Sequence, residues 1–421
     1  MYFRNPASAL EAALKPRRYV HFDAPLSASA CKALVQNPAA VKSHSFLPFL
    51  RHDIVRTRIK RIGPKRLKKS TKVREIRYAA HSDAAIYSYY NYLIAEKYEK
   101  IVHDQNLSES VIAFRSLKKS NIDFAHESFQ WIAKNQPCVA LGFDVKDFFG
   151  TLDHKLLKKQ WAHVLGSAIL PDDHFAIFRS LTRHASVELI SARNALKLSR
   201  QELKRIERLC APADFRSKIR NGGLITSNPN SHGIPQGSPI SALLSNIYML
   251  PFDIALTKVI GEIGGLYKRY CDDILVVVPE EYADDIKNFV ADQLDAIELK
   301  LQTSKTLECT FDPDADKPLQ YLGLIFDGQK TTLRPSGISL YYAKMRHGVN
   351  LHKRAKRRDG STPILKQRRK YLVRQYTENA PKKHRNYFNY VRRAAEKTGS
   401  SAITRQLRRH TKAFKKVVLA P

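Results

Sequence analysis

The chain has 421 residues, 43% of them hydrophobic, and sets 72 Lys and Arg against 39 Asp and Glu for a formal net charge of +33. That length is too great for one small core and suits two or three subdomains. No apolar run reaches the roughly 18 residues a membrane span needs, and the charge excess makes a polyanion the default partner.

Positions 1–60 form a lead in which Pro16, Pro25, Pro38 and Pro48 interrupt any long helix. They are expected to be an N-terminal extension that wraps a neighbouring lobe or contacts the polyanionic partner, and the sequence does not choose between the two. Ala79 to His103 reads as one long helix. Its aromatic face, Tyr87, Tyr90 and Tyr98, is a pattern more often used for core packing than for ligand contact. Cys138 to Phe143 is an apolar strand that ends on Asp144, before a turn and the aromatics Phe148 and Phe149. A carboxylate at a strand end can reach a metal shared with another strand. Leu157 to Asn230 is helical, then basic, then rich in Gly, Ser and Asn near Asn221-Gly222-Gly223, as expected of an insertion with a mobile loop.

Gly233-Ile234-Pro235-Gln236-Gly237-Ser238-Pro239 is a Gly/Pro loop leading into a helix from Ile240 to Ile247. Its glycines free backbone N–H groups for close approach by a ligand, and Gln236 offers both a donor and an acceptor. Tyr270-Cys271-Asp272-Asp273 lies between Tyr267-Lys268-Arg269 and the apolar run Ile274 to Val278, which reads as strand, tight turn, strand. Two bare carboxylates beside an apolar core are costly unless a cation compensates them; the plainer alternative is an exposed acidic turn. Leu301 to Thr306 places Lys305 after a helix-to-strand turn.

From Tyr341 onward, 24 Lys and Arg stand against 3 Asp and Glu. The densest clusters are Lys353-Arg354-Ala355-Lys356-Arg357-Arg358 and Lys366-Gln367-Arg368-Arg369-Lys370. Such a run is often a solvated tail. Here Leu372, Val373, Tyr376, Tyr387, Phe388, Tyr390, Val391, Ile403, Leu407 and Phe414 recur among the bases. Their spacing suits two or three amphipathic helices broken near Ala380-Pro381 and Gly399.

In this order the segments resemble the motifs of reverse transcriptases. Phe143 to Phe149 resembles the first palm motif, Gly233 to Asn246 the second, Tyr270 to Asp273 the third and Lys305-Thr306 the fourth. Tyr321 to Phe326 resembles the primer-gripping hairpin. Lys68 to Arg74 is similar to the fingers strand that touches the incoming triphosphate, and Val111 to Arg115 to the arginine-bearing fingers motif. The resemblance runs from about Lys65 to Pro335, and a single motif could arise by chance where an ordered series does not.

The resemblance implies an α+β fold: a right-hand polymerase with fingers, a palm of antiparallel sheet plus helices, and a basic α-helical thumb. Fingers and palm would occupy 61–335 and the thumb 336–421. It implies an RNA-directed DNA polymerase, a nucleotidyltransferase adding deoxynucleotides by two-metal phosphoryl transfer. By this resemblance Asp144 and Asp272 bind two Mg²⁺ ions with help from the Val145 carbonyl, and Asp273 supports them. Lys72 and Arg74 neutralise the triphosphate, and Gln236 and Gly237 line the nucleotide site. Phe149 sits under the sugar and excludes a 2′-hydroxyl, or is an ordinary core phenylalanine. Lys305 protonates the departing pyrophosphate, or is a solvated lysine. Lys353, Arg354, Arg357, Arg358, Arg368 and Arg369 track a phosphate backbone. The partners are then an RNA template, the DNA product strand and dNTPs.

The compact layout, the Leu333-Arg334-Pro335-Ser336 segment and the basic C-terminal helices look like stand-alone bacterial reverse transcriptases. The antiphage defence class, which acts with a dedicated structured noncoding RNA, is the nearest likeness. Retron enzymes are the runner-up, although their Val-Thr-Gly thumb signature is missing. A catalytically silent, maturase-like RNA-binding protein is the alternative of another class, and the retained Asp144, Asp272, Asp273 and Phe149 weigh against it. Cys31, Cys138, Cys210, Cys271 and Cys309 are scattered without CxxC or Cys/His zinc spacing, which fits a reducing cytoplasm.

Overall fold

The computed structural model describes residues 8–61, 63, 66–312, 317–377 and 386–406. Strands β1 (Phe49–Arg61) and β2 (Leu67–Tyr78) form a long antiparallel hairpin whose register runs from Leu50↔Tyr78 to Arg61↔Leu67. β1 begins at Phe49, so this hairpin straddles the boundary expected near position 60. β3 is Cys138–Asp144, β4 Ala185–Glu188 and β5 Thr226–Ser227. β6 (Leu266–Tyr270) and β7 (Asp273–Val278) make a second hairpin, followed by β8 (Leu307–Phe311). Three short strands, β9 (Leu319–Tyr321), β10 (Leu324–Phe326) and β11 (Thr331–Leu333), complete the set.

The strands sort into three sheets, ordered β2-β1-β4-β5, β6-β7-β3-β8 and β11-β10-β9. The middle sheet is antiparallel throughout. β3 and β7 are central in it, and their unbroken apolar runs are buried on both faces, as central strands covered by helices require. The long helix His81–Asp104 matches the expected span, and Tyr87, Tyr90 and Tyr98 are buried in the main core. The N-terminal lead folds onto this helix through Ala9–Leu14, while Cys31, Val35 and Val41 join the same core. Pro38 is accommodated because it stands at the first turn of its helix, where a missing N–H costs nothing.

A separate apolar cluster joins Phe22, Leu50, Val187, Leu209, Phe215 and Ile219, tying the 189–225 insertion to the lead and to β1. Asn221-Gly222-Gly223 is not an open loop there. Its amides close back on Arg216 and Arg220 at 2.9 and 3.2 Å, and Leu224 and Ile225 pack on the cluster.

Helices Pro335–Asp359 and Pro363–Tyr376 pair through Tyr341, whose hydroxyl donates to the Tyr376 carbonyl at 2.6 Å. The next helix, Tyr387–Thr398, turns back. Its Val391 and Ala394 join Ile122, Phe129, Phe326 and Leu333 in a second core behind the central sheet. These contacts settle the choice between packed helices and a solvated tail for this stretch. Ala380-Pro381, Leu407 and Phe414 lie outside the described residues.

Candidate active site

The β6–β7 hairpin closes with Tyr270 opposite Asp273, leaving Cys271 and Asp272 as a two-residue turn. Cys271 takes φ 63, a left-handed conformation that costs a non-glycine residue free energy. In β3, Asp144 pairs with Asp273 across the ladder, so the turn stands beside the end of β3. The Val145 amide reaches the Asp272 carbonyl at 3.4 Å, and the Asp144 carbonyl accepts from the Gln302 amide at 2.8 Å. Two acids remote along the chain are thus brought together by strand pairing.

Asp144 and Asp272 line one cavity of about 660 Å³. Lys72, Arg74, Val145, Phe149 and Gln236 line it as well, so seven of the residues singled out from the sequence converge there. β2 supplies the two cations. Arg77 on the same strand is partly neutralised by Glu75 at 2.6 Å, whereas Lys72 and Arg74 make no ion pair among the described residues. The loop carrying Gln236 is fastened to β2, because the Arg77 amide donates to the Gln236 carbonyl at 2.8 Å.

Other expected residues fall elsewhere. Asp273 is exposed and does not line the cavity; its charge instead bears on the buried Tyr321. Gly237 is not a cavity wall either. At φ 113, a Cβ there would lie 2.9 Å from the Arg77 carbonyl and from Ile76, so its missing side chain admits β2 rather than a ligand. Arg115 turns away from the site: it is 4% exposed, chelates Glu99 at 2.7 and 2.9 Å, and donates to the Ser108 and Val111 carbonyls. Its neighbour Phe114 lines the cavity instead. Lys305 falls in the turn Thr303–Lys305, but its side chain lies outside the described residues.

Sequence reasoning missed a polar wall of Asp147, His184, Asn228, Asn230, His232 and Gln302. His232 donates to the Gly150 carbonyl at 2.9 Å, and His154 donates to the Gly233 carbonyl at 2.8 Å, fixing this loop over Phe149. Burial, helped by the Arg77 charge, holds His184 down at about 4, so it is neutral at pH 7. Asp147 stands in the left-handed region at φ 47, which Asp tolerates better than most residues. Its position three residues after Asp144 was the one local signal available. Burial also pushes the Cys271 thiol well up, with the Asp272 charge adding to the effect, so Cys271 is a packing group.

The basic residues of the C-terminal helices form one surface. Arg354, Arg357, Arg358, Arg368 and Arg369 are exposed and Lys353 is half-buried. The pKa of His352 is lowered by burial and then by Arg368, Arg369 and Lys356, which places the two clusters side by side. Arg358 is partly satisfied by Asp359 at 2.7 Å.

No group of three or more His, Cys, Asp and Glu side chains converges as a self-sufficient metal site among the described residues. Two carboxylates opening on a cavity that Lys72 and Arg74 also line are a different donor set. Mg²⁺ is ordinarily held by one or two carboxylates together with substrate phosphates and water. Asp144 and Asp272, with Val145 on the same wall, fit that requirement.

Residues 68–326 match the family model described as reverse transcriptase (RNA-dependent DNA polymerase). This is well over half of the chain, and the protein belongs to the reverse transcriptase family, a class of nucleotidyltransferases. Among solved structures, it is similar to apo telomerase of Candida tropicalis truncated from its C-terminal domain. That match has 12% identity and a TM-score of 0.43, over 73% of this chain and 61% of that one. It is also similar to telomerase of Candida albicans in complex with a TWJ fragment of telomeric RNA. There the identity is 12% and the TM-score 0.45, over 93% of this chain and 59% of that one. The chain therefore spans about three fifths of the length of either telomerase. No curated protein sequence matches it. In the vocabulary of the family, the central sheet, which lies wholly within the matched residues, is the palm.

Proposed function

We propose that this protein is an RNA-directed DNA polymerase that copies a dedicated structured noncoding RNA into DNA in the cytoplasm, in bacterial antiphage defence. The observation that carries the catalytic part is the convergence of Asp144, Asp272, Lys72, Arg74, Phe149 and Gln236 on one cavity. Asp144 and Asp272 hold the metal, with Asp273 as an outer support. Mg²⁺ held there by Asp144 and Asp272 would supply Lewis-acid stabilisation of the charge that develops during phosphoryl transfer. Lys72 and Arg74 face the triphosphate and neutralise the charge that develops on it. Phe149, below the sugar, disfavours a 2′-hydroxyl, and the Gln236 amide orients the nucleotide. Lys305 is assigned proton donation to pyrophosphate on the resemblance alone.

The RNA template is supported by the net charge of +33 and by the basic surface of the two thumb helices. The antiphage role and the dedicated template rest on the likeness of the layout to stand-alone bacterial enzymes. Primer extension on poly-rA/oligo-dT with dTTP and Mg²⁺ tests the catalytic part. Incorporation that requires the template and stops on chelation is expected; none, from folded protein, would remove the proposal. Sequencing RNA that copurifies from the native host tests the rest: one enriched structured species is expected, and random cellular fragments would count against a dedicated template.

A further inference from the structure

Arg269 is a fully buried arginine directly under the catalytic turn, at 0% exposure. Its guanidinium chelates Asp253 on helix Leu250–Glu262, with Nε to Oδ1 at 2.7 Å and Nη2 to Oδ2 at 2.5 Å. Nη1 points the other way, donating to the Cys271 carbonyl at 3.1 Å and to the Asn246 Oδ1 at 3.2 Å. Asn246 in turn donates to the Ala113 carbonyl at 2.9 Å, next to Phe114 on the cavity wall. The Tyr267 hydroxyl donates to Asp253 at 2.6 Å, and Arg269 exchanges backbone hydrogen bonds with Ser110 and Ile112.

A buried ion pair rarely stabilises a fold more than apolar residues of the same shape would, so its presence here asks for a positional reason. The bond to Cys271 supplies one. The Cys271 carbonyl and the Asp272 amide belong to the same rigid peptide plane. Anchoring that carbonyl therefore fixes where the Asp272 Cα begins. On its other side, the Asp272 carbonyl accepts from Val145, beside Asp144. Asp272 is thus held between two anchored peptides, at a turn whose Cys271 conformation would relax if released.

We propose that Arg269 is a positioning residue that presets the Asp272 carboxylate, and that Asn246 extends this tether to the Ala113–Phe114 wall of the nucleotide cavity. The inference rests on the catalytic reading of Asp272. Arg269 touches neither substrate nor metal; it acts through the turn.

Removing Arg269 alone strands Asp253 without its counter-charge, so the test uses a matched apolar replacement, Tyr267→Phe with Asp253→Leu and Arg269→Met. Asn246→Ala is the milder companion. Amide hydrogen exchange across 269–274 is compared with exchange across 139–143 of β3, alongside primer-extension kinetics. The turn amides should exchange about tenfold faster or more while those of β3 keep their protection. The kcat should fall by about tenfold or more, with KM for dTTP and affinity for primer-template duplex changed less than about threefold. Unaltered exchange at the turn overturns the tether, and a loosened turn with unaltered kcat overturns its catalytic role. Failure of the proposed function shows separately, as a wild-type protein without nucleotide addition, and hydrogen exchange still reads the tether in that case.

Discussion

Asp272 and Asp273 are neighbours in sequence, yet only Asp272 lines the cavity. Asp272→Asn keeps the shape of the turn and removes the charge that a cation needs. Nucleotide addition should fall on the order of a thousandfold or more, with the melting midpoint little changed. Asp273→Asn should cost far less, about tenfold or below, because an exposed acid outside the cavity acts through its field alone. Single-turnover primer extension separates the two, and equal losses would show that both carboxylates bind metal. Phe149 is half-buried, with one side on Phe148 and the other lining the cavity, so it is neither a plain core residue nor a loose one. Phe149→Ala should improve incorporation of ribonucleotides relative to deoxynucleotides by roughly tenfold or more. A ratio of kcat/KM values indistinguishable from wild type would leave Phe149 a packing role. That Asp144, Asp272 and Phe149 share one wall was legible because a strand-end acid, an acidic hairpin turn and an aromatic pair are local features. His184, Asn228 and Asn230 were not, since nothing local marks them and β4–β5 pairing, with the bond from the Asn228 amide to the His184 carbonyl at 2.8 Å, carries them to the wall.

Elements were legible where an unbroken apolar run or an aromatic helical face marked them, as in β3, β7 and the helix His81–Asp104. What the sequence hid was how elements fasten to each other. Gly237 reads as a ligand-approach glycine in any Gly/Pro loop, but here the neighbour it admits is β2. Arg115 is legible only as a cation, and nothing local shows that Glu99, on the preceding helix, holds its Nε and Nη2. The C-terminal bases were legible as a surface, and the packing behind them as amphipathic. The return of helix Tyr387–Thr398 onto the palm was not, because it depends on pairs such as Lys397 with Asp123 that lie far apart in the chain. The exposed pair Arg368 and Arg369 carries a prediction at this scale. Arg368→Gln with Arg369→Gln should weaken binding to an RNA–DNA duplex without regard to sequence. The slope of log affinity against log salt should shrink by about two, one for each lost phosphate contact. Primer extension at low salt should survive. An unchanged slope in salt-titrated binding would mean that these arginines face solvent during catalysis.

For the whole molecule, charge and burial act together under acid. His21 and His184 are buried, and loss of water holds the pKa of each down at about 4, below the ordinary value of 6.5. The unfolded chain therefore binds more protons than the folded one between those limits. Their contribution is complete above about pH 6.5 and is lost progressively as the pH falls toward 4. A shift of that size is worth on the order of 3 kcal/mol for each histidine. Each proton taken up also raises a net charge that already stands at +33, so self-repulsion pushes the same way. Salt tells the two apart, because it screens repulsion between exposed charges and does little for a buried ring. Urea midpoints should drop between about pH 7 and about pH 5, and added salt should restore only part of the drop. His21→Gln keeps a donor for the Tyr78 carbonyl that His21 now serves at 3.1 Å, and it cannot titrate. Its midpoint should vary less over this interval than that of the wild type. If salt alone abolished the pH dependence, the acid sensitivity would belong to the surface charge and not to the buried histidines; if His21→Gln left it intact, His21 would have no part in it.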